Sequence, residues 1–313
     1  MQRLDGSAPV PERFRGGIVA LGNFDGFHRG HQAVAGRAIA RARAEGRPAL
    51  IATFDPHPVR HFRPDAPPFR LTTLNQRERL FADAGADAML VFGFGPELAS
   101  VAAEDFVADW LGTRVGAAGV VTGEDFTFGY KRGGDISVLR DLAPAHGMSV
   151  DAVGPVMDGG APISSSRIRQ ALRAGDCTEA ARLLTRPFAI QGVVEHGDKN
   201  GRKLGYPTAN LQLGSYLRPR YGIYAVRARL PGRARVAGVA NLGIRPTFDP
   251  PKELLEPHFF DWSGDLYGQP IEVELYAHLR DEQRFSSMAA LTAQMDRDSE
   301  QARHILNEPS PRA

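Results

Sequence analysis

Ile18-Val19-Ala20-Leu21, followed at once by Gly22-Asn23-Phe24-Asp25-Gly26-Phe27-His28-Arg29-Gly30-His31, is the stretch that decides the fold of the first half. A short apolar run ends in a Gly/Asp turn, and the turn opens an Ala/Arg-rich helical stretch near 31–45. Gly22, Gly26 and Gly30 let the backbone turn tightly and approach a ligand. A helix start offers unpaired N–H groups and the positive end of the helix dipole, which suits a polyphosphate. His28 and His31, three apart, project to one side of the first turn. Asn23, Phe24, Asp25, Gly26 and Gly30 therefore form a candidate nucleotide-binding turn around two candidate catalytic imidazoles. A divalent-metal centre built from Asp25, His28 and His31 with Asp55, His57 and His61 is a rival reading, and purely structural histidines are a third. The pair alone does not choose among them.

Outward from this turn the alternation continues. Ala49-Leu50-Ile51-Ala52-Thr53-Phe54, Ala88-Met89-Leu90-Val91-Phe92 and Gly119-Val120-Val121 read as strands. Helices are expected over 75–84, with Asn75 as N-cap, and over 104–111. Short apolar strands alternating with helices predict βαβ units and a parallel sheet, with ligands beyond the carboxyl ends of its strands. After about residue 185 the pattern changes to apolar/polar alternation, as in Ile190–Val194, Tyr224–Ala228, Val236–Ala240 and Ile271–Tyr276, separated by Gly- and Pro-rich turns. That predicts a small antiparallel barrel or sandwich. A helix near 287–306, bearing Met288, Leu291, Met295, Ala302 and Ile305, is expected to pack on the barrel. The boundary falls within 172–188, giving domains 1–182 and 183–308 and a disordered tail, 309–313.

Composition bounds the partners. With 313 residues, two domains are the natural division. At 42% hydrophobic, 24% charged and a formal net charge of +2, nothing calls for a nucleic-acid or membrane partner, and no obligate protein partner is expected. The single cysteine, Cys177, excludes an internal disulfide and a cysteine metal site, and fits a reducing compartment. Met1–Gly6 lacks the apolar stretch of a signal peptide, and no membrane-length apolar run occurs, so a cytoplasmic home is expected.

Three further segments carry chemistry. Ile163-Ser164-Ser165-Ser166-Arg167-Ile168-Arg169 opens a helix with hydroxyls, N–H groups and guanidinium forks, which are anion-binding parts; alone it would also read as a cap with surface arginines. His196-Gly197-Asp198-Lys199-Asn200-Gly201-Arg202-Lys203-Leu204-Gly205-Tyr206-Pro207-Thr208-Ala209-Asn210 is a glycine-rich basic loop that either folds its amides over phosphates or is a plain hairpin. In an extended segment Thr208 and Asn210 face one side, placing two neutral oxygens together, a pair suited to Mg²⁺. Glu256, before Pro257, reads from composition as an exposed turn residue.

The order of these segments resembles a known family. His28-Arg29-Gly30-His31 with the later Ser164-Ser165-Ser166-x-x-Arg169 segment resembles the nucleotidyltransferase superfamily, whose members transfer adenylyl or cytidylyl groups on a Rossmann-like sheet. Thr53-Phe54-Asp55-Pro56-His57-Pro58 and Gly123-Glu124-Asp125-Phe126-Thr127-Phe128-Gly129, with Gly133-Gly134-Asp135, resemble the FMN adenylyltransferase module of bifunctional bacterial flavin enzymes. Gly205–Asn210, Tyr221–Tyr224, Gly238–Phe248, Leu255–His258 and Gly264–Gly268 resemble riboflavin kinase in order and spacing, a family with a six-stranded barrel. Together these likenesses run from about 16 to 300.

The resemblance implies ATP-dependent phosphorylation of riboflavin to FMN and adenylylation of FMN to FAD. It places ATP contacts at His28, His31, Ser165 and Ser166 with Arg167 beside them, and the flavin side at Asp125. In the second half it places Mg–ATP ligands at Thr208 and Asn210, phosphate contacts at Gly197, Lys203, Gly205 and Pro207, a general base at Glu256, and a flavin wall at Arg280-Asp281-Glu282. Departures are small. Ser166 stands where Thr is common and keeps the hydroxyl. Tyr206 stands where Phe is common and adds one. A metal-dependent phosphohydrolase and a non-catalytic flavin-binding module are the rival classes.

Overall fold

Continuous burial along the first strands shows why they lie inside a parallel sheet. In a computed structural model that describes residues 1–196, 205–232, 235–245 and 252–307, all of Ile18–Leu21 and six of the seven residues of Ala49–Asp55 are buried. A strand covered on both faces needs apolar residues at every position rather than at alternate ones. The proposed contacts Gly197 and Lys203, and the tail 309–313, lie outside the described residues.

The first sheet has six parallel strands, β1 (Gln2–Asp5), β2 (Ile18–Leu21), β3 (Ala49–Asp55), β4 (Ala88–Gly93), β5 (Gly119–Gly123) and β6 (Ser149–Val153), in the order β1-β4-β3-β2-β5-β6. Successive side chains separate onto two faces. Val19, Leu21, Leu50 and Ala52 join one core, and Ile18, Ala20, Ala49 and Ile51 the other. The helix Arg29–Ala44 covers the second face with Val34, Ala35, Ala38, Ile39 and Ala42. From β2 the chain winds to β3 and β4 on one side, then returns to β5 and β6 on the other. The switch point therefore lies between the carboxyl ends of β2 and β5.

Two edge strands carry no signal in the sequence: β1 is four residues with only Leu4 buried, and β6 has no buried residue at all. The helix expected over 75–84 runs Leu74–Asp83, and its N-cap is Thr73, not Asn75. Thr73 and Gln76 form a reciprocal capping box, which satisfies two backbone donors where a lone Asn would satisfy one. The helix expected over 104–111 begins at Ala103–Asp105 and runs on as a π-helix, Phe106–Val115. A short hairpin, β7 (Met157–Asp158) and β8 (Ala161–Pro162), precedes Ser164.

The second sheet is antiparallel, with β9 (Phe188–Val193), β10 (Leu211–Gln212), β11 (Gly222–Arg229), β12 (Val236–Arg245), β13 (Lys252–Phe259) and β14 (Pro270–Arg280) in the order β10-β13-β12-β11-β14-β9. A single antiparallel bridge, Glu195 to Asn210, joins the two ends, so the sheet nearly closes into a barrel. Strand β13, like the two-residue β10, is a barrel strand that the sequence pattern did not mark, and it carries Glu256. Pro257 sits within it opposite Ala240, with its carbonyl accepting from Ala209 N at 3.0 Å. Glu256 is thus a strand residue facing a pocket, not an exposed turn residue.

By packing, the chain divides into one unit of Met1–Pro67 with Thr73–Ser164 and another of Pro68–Thr72 with Ser165–Ala313. Arg70 pairs with Tyr216 in the second unit, which also holds the helices Ser165–Ala174 and Cys177–Leu184. The closing helix, Met288–Asn307, lays Ala302 and Leu306 against Ala225 and Phe260 on the outside of the barrel.

Candidate active sites

At the carboxyl end of β2 the turn is built around aromatic anchors. Phe24 and Phe27 are buried and lie at φ +49° and +45°, where bulky side chains rarely sit. Gly26 supplies the third left-handed residue at φ +88°. Gly30 keeps its place because a Cβ there would stand 3.1 Å from the His28 ring.

His28, 5% exposed, is the N-cap of Arg29–Ala44, and its Nδ1 accepts from His31 N at 3.3 Å. That bond makes Nδ1 the acceptor and Nε2 the protonated nitrogen of the neutral ring. The two imidazoles stack at 3.7 Å between centroids, and Phe24 meets His31 edge-on at 5.3 Å. Asp25 is buried in the same turn.

The metal-centre reading does not match this geometry. His57 caps the helix Pro58–Phe62, accepting from Val59 N at 3.2 Å, and His61 packs edge-on against Phe94 at 5.7 Å. Among the described residues no group of three or more His, Cys, Asp or Glu side chains is placed to hold a metal.

Beside the turn opens a cavity of about 460 Å³, walled by Phe54, Phe62, Phe94, Phe106, Phe126 and Phe128, with Asn23, Lys131 and Arg132 at its polar edge. Asn23 Oδ1 is buried with no hydrogen-bond partner among the described residues. An aromatic slot with cations at its rim and an unsatisfied amide fits a flat heteroaromatic phosphate ester. Asp125 itself is exposed, whereas Phe126 to Gly129 line the cavity. Sequence reading gave the phenylalanines no role; the signal for four of them, Phe54, Phe94, Phe126 and Phe128, is recurrence at or just past the ends of β3, β4 and β5, while Phe62 and Phe106 come from helices.

Ser165 and Ser166 open the helix Ser165–Ala174 in the second unit. Arg167 Nη2 donates to Glu179 Oε1 at 2.6 Å, and Arg169 Nε to Phe69 O at 2.9 Å. Both forks therefore hold protein partners within that unit.

In the barrel, two cavities meet at one residue. A larger one of about 470 Å³ is lined by Ile223, Val239, Asn241, Glu256, Leu291 and Met295 among others, and a smaller one of about 230 Å³ by Val194, Pro207, Ala209, Trp262 and Tyr267. Thr208 lines both. Asn210, two residues on, is 8% exposed. Asn241 Oδ1, in the larger cavity, is buried without a partner among the described residues, while its Nδ2 donates to Glu282 at 3.1 Å. Thr208 offers both cavities a neutral hydroxyl, a ligand type suited to Mg²⁺, whereas Asn210 lines neither.

Glu256 receives the Arg245 guanidinium on Oε2, and Arg245 reaches Glu282 at 3.3 Å. Arg280, named as a flavin-side residue, does line the larger cavity, and it clamps the buried Asp298 at 2.6 to 3.1 Å. Its neighbour Asp281 turns away and pairs with Arg220 at 2.6 Å. Gly205 is exposed, and Pro207 accepts His258 Nδ1 on its carbonyl at 2.9 Å.

A parallel sheet with a His-x-x-His helix cap at its switch point, joined to a nearly closed barrel with a carboxylate-bearing pocket, defines a two-unit class of nucleotide-using transferases. Comparison with known proteins agrees. An FAD synthetase family model matches residues 10–167, and a riboflavin kinase model matches 184–306. The bifunctional riboflavin kinase/FMN adenylyltransferase of Escherichia coli K12 is 38% identical over 95% of this chain and 95% of its own, and that of Pseudomonas fluorescens 39% over 97% and 98%. A solved Streptococcus pneumoniae structure, named as a macrolide-efflux protein, is 31% identical with a TM-score of 0.87, covering 99% of this chain and 100% of that one. The chain belongs to the bifunctional riboflavin kinase/FMN adenylyltransferase family. Among its described residues no helix is long and apolar enough to cross a membrane.

Proposed function

We propose that this chain uses ATP twice, phosphorylating riboflavin to FMN in the barrel and adenylylating FMN to FAD and pyrophosphate through its first 182 residues. The observation that carries the reading is Thr208 on the shared wall of two cavities, with Glu256 in the larger one. A nucleotide in one cavity and an alcohol in the other would meet at Thr208.

The riboflavin 5′-hydroxyl is neutral and must shed a proton as its oxygen bonds to the γ-phosphorus and ADP leaves. Glu256 takes that proton, with Arg245 holding one carboxylate oxygen so that the other is aimed. Thr208 and Asn210 are the Mg²⁺ ligands, and the ion screens phosphate charge when bound. Gly197, Lys203, Gly205 and Pro207 flank the phosphates, and Arg280 belongs to the flavin wall.

Adenylyl transfer needs no protein base. The FMN phosphate has a second pKa near about 6, so it is largely dianionic at neutral pH. Its oxygen attacks the α-phosphorus of ATP and pyrophosphate leaves. The protonated Nε2 of His28, with His31, stabilises the charge that gathers on phosphate oxygens. Asn23, Phe24, Asp25, Gly26 and Gly30 shape the turn. Ser165, Ser166 and Arg167 keep their assignment as triphosphate contacts, and Asp125 with its neighbours as the flavin side. The partners proposed are riboflavin, FMN and ATP, and the compartment is the reducing cytoplasm, in keeping with one buried free thiol.

Chromatography of products from riboflavin or FMN with ATP and Mg²⁺ tests the division of labour. Glu256→Gln is expected to stop FMN formation and leave FAD formation from added FMN. His28→Ala is expected to slow FAD formation by roughly 100-fold or more and leave FMN formation intact. Loss of both activities in either variant, or of neither, refutes the assignment.

A further inference from the structure

Helix Leu74–Asp83 carries none of the recognised motifs, yet it sends two buried side chains into the back of the Gly22–His31 turn. Arg77 is 3% exposed. Its Nη1 donates to Thr53 Oγ1 at 2.6 Å and to the Asn23 carbonyl at 3.2 Å, and its Nη2 to Asp55 Oδ1 at 3.3 Å. Thr53 Oγ1 donates to the same Asn23 carbonyl at 2.8 Å. Four residues along, on the same face, Phe81 packs edge-on against Phe24 at 5.8 Å and Phe27 at 4.9 Å. Phe24 and Phe27 are the turn's two non-glycine residues held in the left-handed region, a conformation that persists only where the surroundings over-determine it.

We propose that Arg77 is a positioning residue for adenylyl transfer, fixing the Asn23 carbonyl and through it the strained turn that sets the His28 and His31 imidazoles. The proposal rests on the phosphate-facing role given to those histidines above. Two donors converge on one carbonyl, one of them a buried cation, and the same cation holds the Asp55 carboxylate at the end of the neighbouring strand. The fork ties the ends of β2 and β3 together behind the turn. A neutral residue at 77 leaves the Asn23 carbonyl with Thr53 alone and the Asp55 carboxylate without its guanidinium, so the turn loses the contact opposing its strain. Misplacement of a reacting group by about 1 Å costs on the order of 100-fold in rate.

Arg77→Met, Arg77→Lys and Thr53→Val, each in the full chain, test this against His28→Ala. For FAD formation from FMN and ATP, Arg77→Met is expected to lower kcat between roughly 10- and 100-fold, with KM for either substrate changed far less. Arg77→Lys restores part of the loss and Thr53→Val shows a smaller loss of the same kind. Riboflavin phosphorylation by the same preparations is expected to stay within about twofold of the parent. If Arg77→Met proves insoluble, the smaller kcat losses expected of Arg77→Lys and Thr53→Val, again without a matching rise in KM, carry the test. A wild-type kcat in the Arg77 variants beside an impaired His28→Ala overturns the positioning role alone, as does an equal fall in both activities. An unimpaired His28→Ala overturns instead the adenylyl-site reading on which the proposal stands.

Discussion

Tyr206 shows how one atom changes what a segment does. Its hydroxyl, the departure from the more common Phe, donates to Asp296 on the closing helix, while its ring meets His258 at 4.9 Å. The added oxygen therefore pins the stretch before Thr208 to that helix. Partial burial, and then the Asp296 carboxylate beside it, raise the phenol's pKa above its ordinary value. A folded pKa above the unfolded one means the link contributes fully below about pH 10 and fades as pH rises through the folded value. Tyr206→Phe is expected to lower stability at pH 7 by at most about 1 kcal/mol, given the half-exposed site. The gap between parent and variant closes at high pH; denaturant melts across pH 7 to 11 measure it, and a gap that widens with pH contradicts the hydrogen bond. His28 was legible in the sequence because a helix start and a repeated residue type mark it. Arg77 was not: one arginine among many gives no sign that it is buried, and only tertiary packing makes it so.

The closing helix shows the same limit at the next scale. A period near 3.6 identifies a helix over 287–306 but not what each turn faces. Ala302 and Ile305 pack on the barrel as expected, joined by Leu306, while Met288 stays exposed and Leu291, Met295 and Asp298 form a wall of the Glu256 cavity. Asp298 is 3% exposed and meets the Arg280 fork at 2.6 Å, with Gln294 donating to it at 2.8 Å. Breaking a buried pair leaves an uncompensated charge, which costs up to about 3–5 kcal/mol. Asp298→Ala is expected to lower the melting temperature and raise the riboflavin KM several-fold, with FAD formation from FMN unchanged; Asp298→Asn falls between. An unaltered riboflavin KM would show that the helix serves only the core. Strand β13 stayed hidden for a different reason. Lys252–Phe259 has two adjacent leucines and a proline, so neither alternation nor composition marks it, and cross-strand partners in β12 supply what the local sequence lacks. The continuous apolar runs of β2, β3 and β4 needed no such help.

Across the whole molecule, the order of motifs was legible and the allocation of chain to compact units was not. Composition shifts near 185, yet Pro68–Thr72 and the helices Ser165–Ala174 and Cys177–Leu184 belong to the same unit as the barrel, because pairings such as Arg70 with Tyr216 join segments far apart in sequence. Two sites on one chain share an intermediate, since the product of the barrel reaction is the substrate of the other. Nothing in the chemistry requires one chain to do both, for FMN is a stable, soluble, charged molecule. A mixture of Glu256→Gln, blocked at the first step, and His28→Ala, slowed at the second, is therefore expected to make FAD from riboflavin far faster than His28→Ala alone, while Glu256→Gln alone makes none. The His28→Ala chains supply FMN and the Glu256→Gln chains consume it. FAD should follow a lag while free FMN accumulates, and the lag should shorten as total enzyme rises. An excess of an apoprotein that sequesters FMN is expected to abolish FAD formation by the mixture. For the parent chain the same scavenger is decisive: suppression shows that FMN passes through solution, and persistence of FAD shows direct transfer. A mixture that makes FMN but never FAD would mean that the product of one chain does not reach another, and the picture of two chemically independent sites would fail.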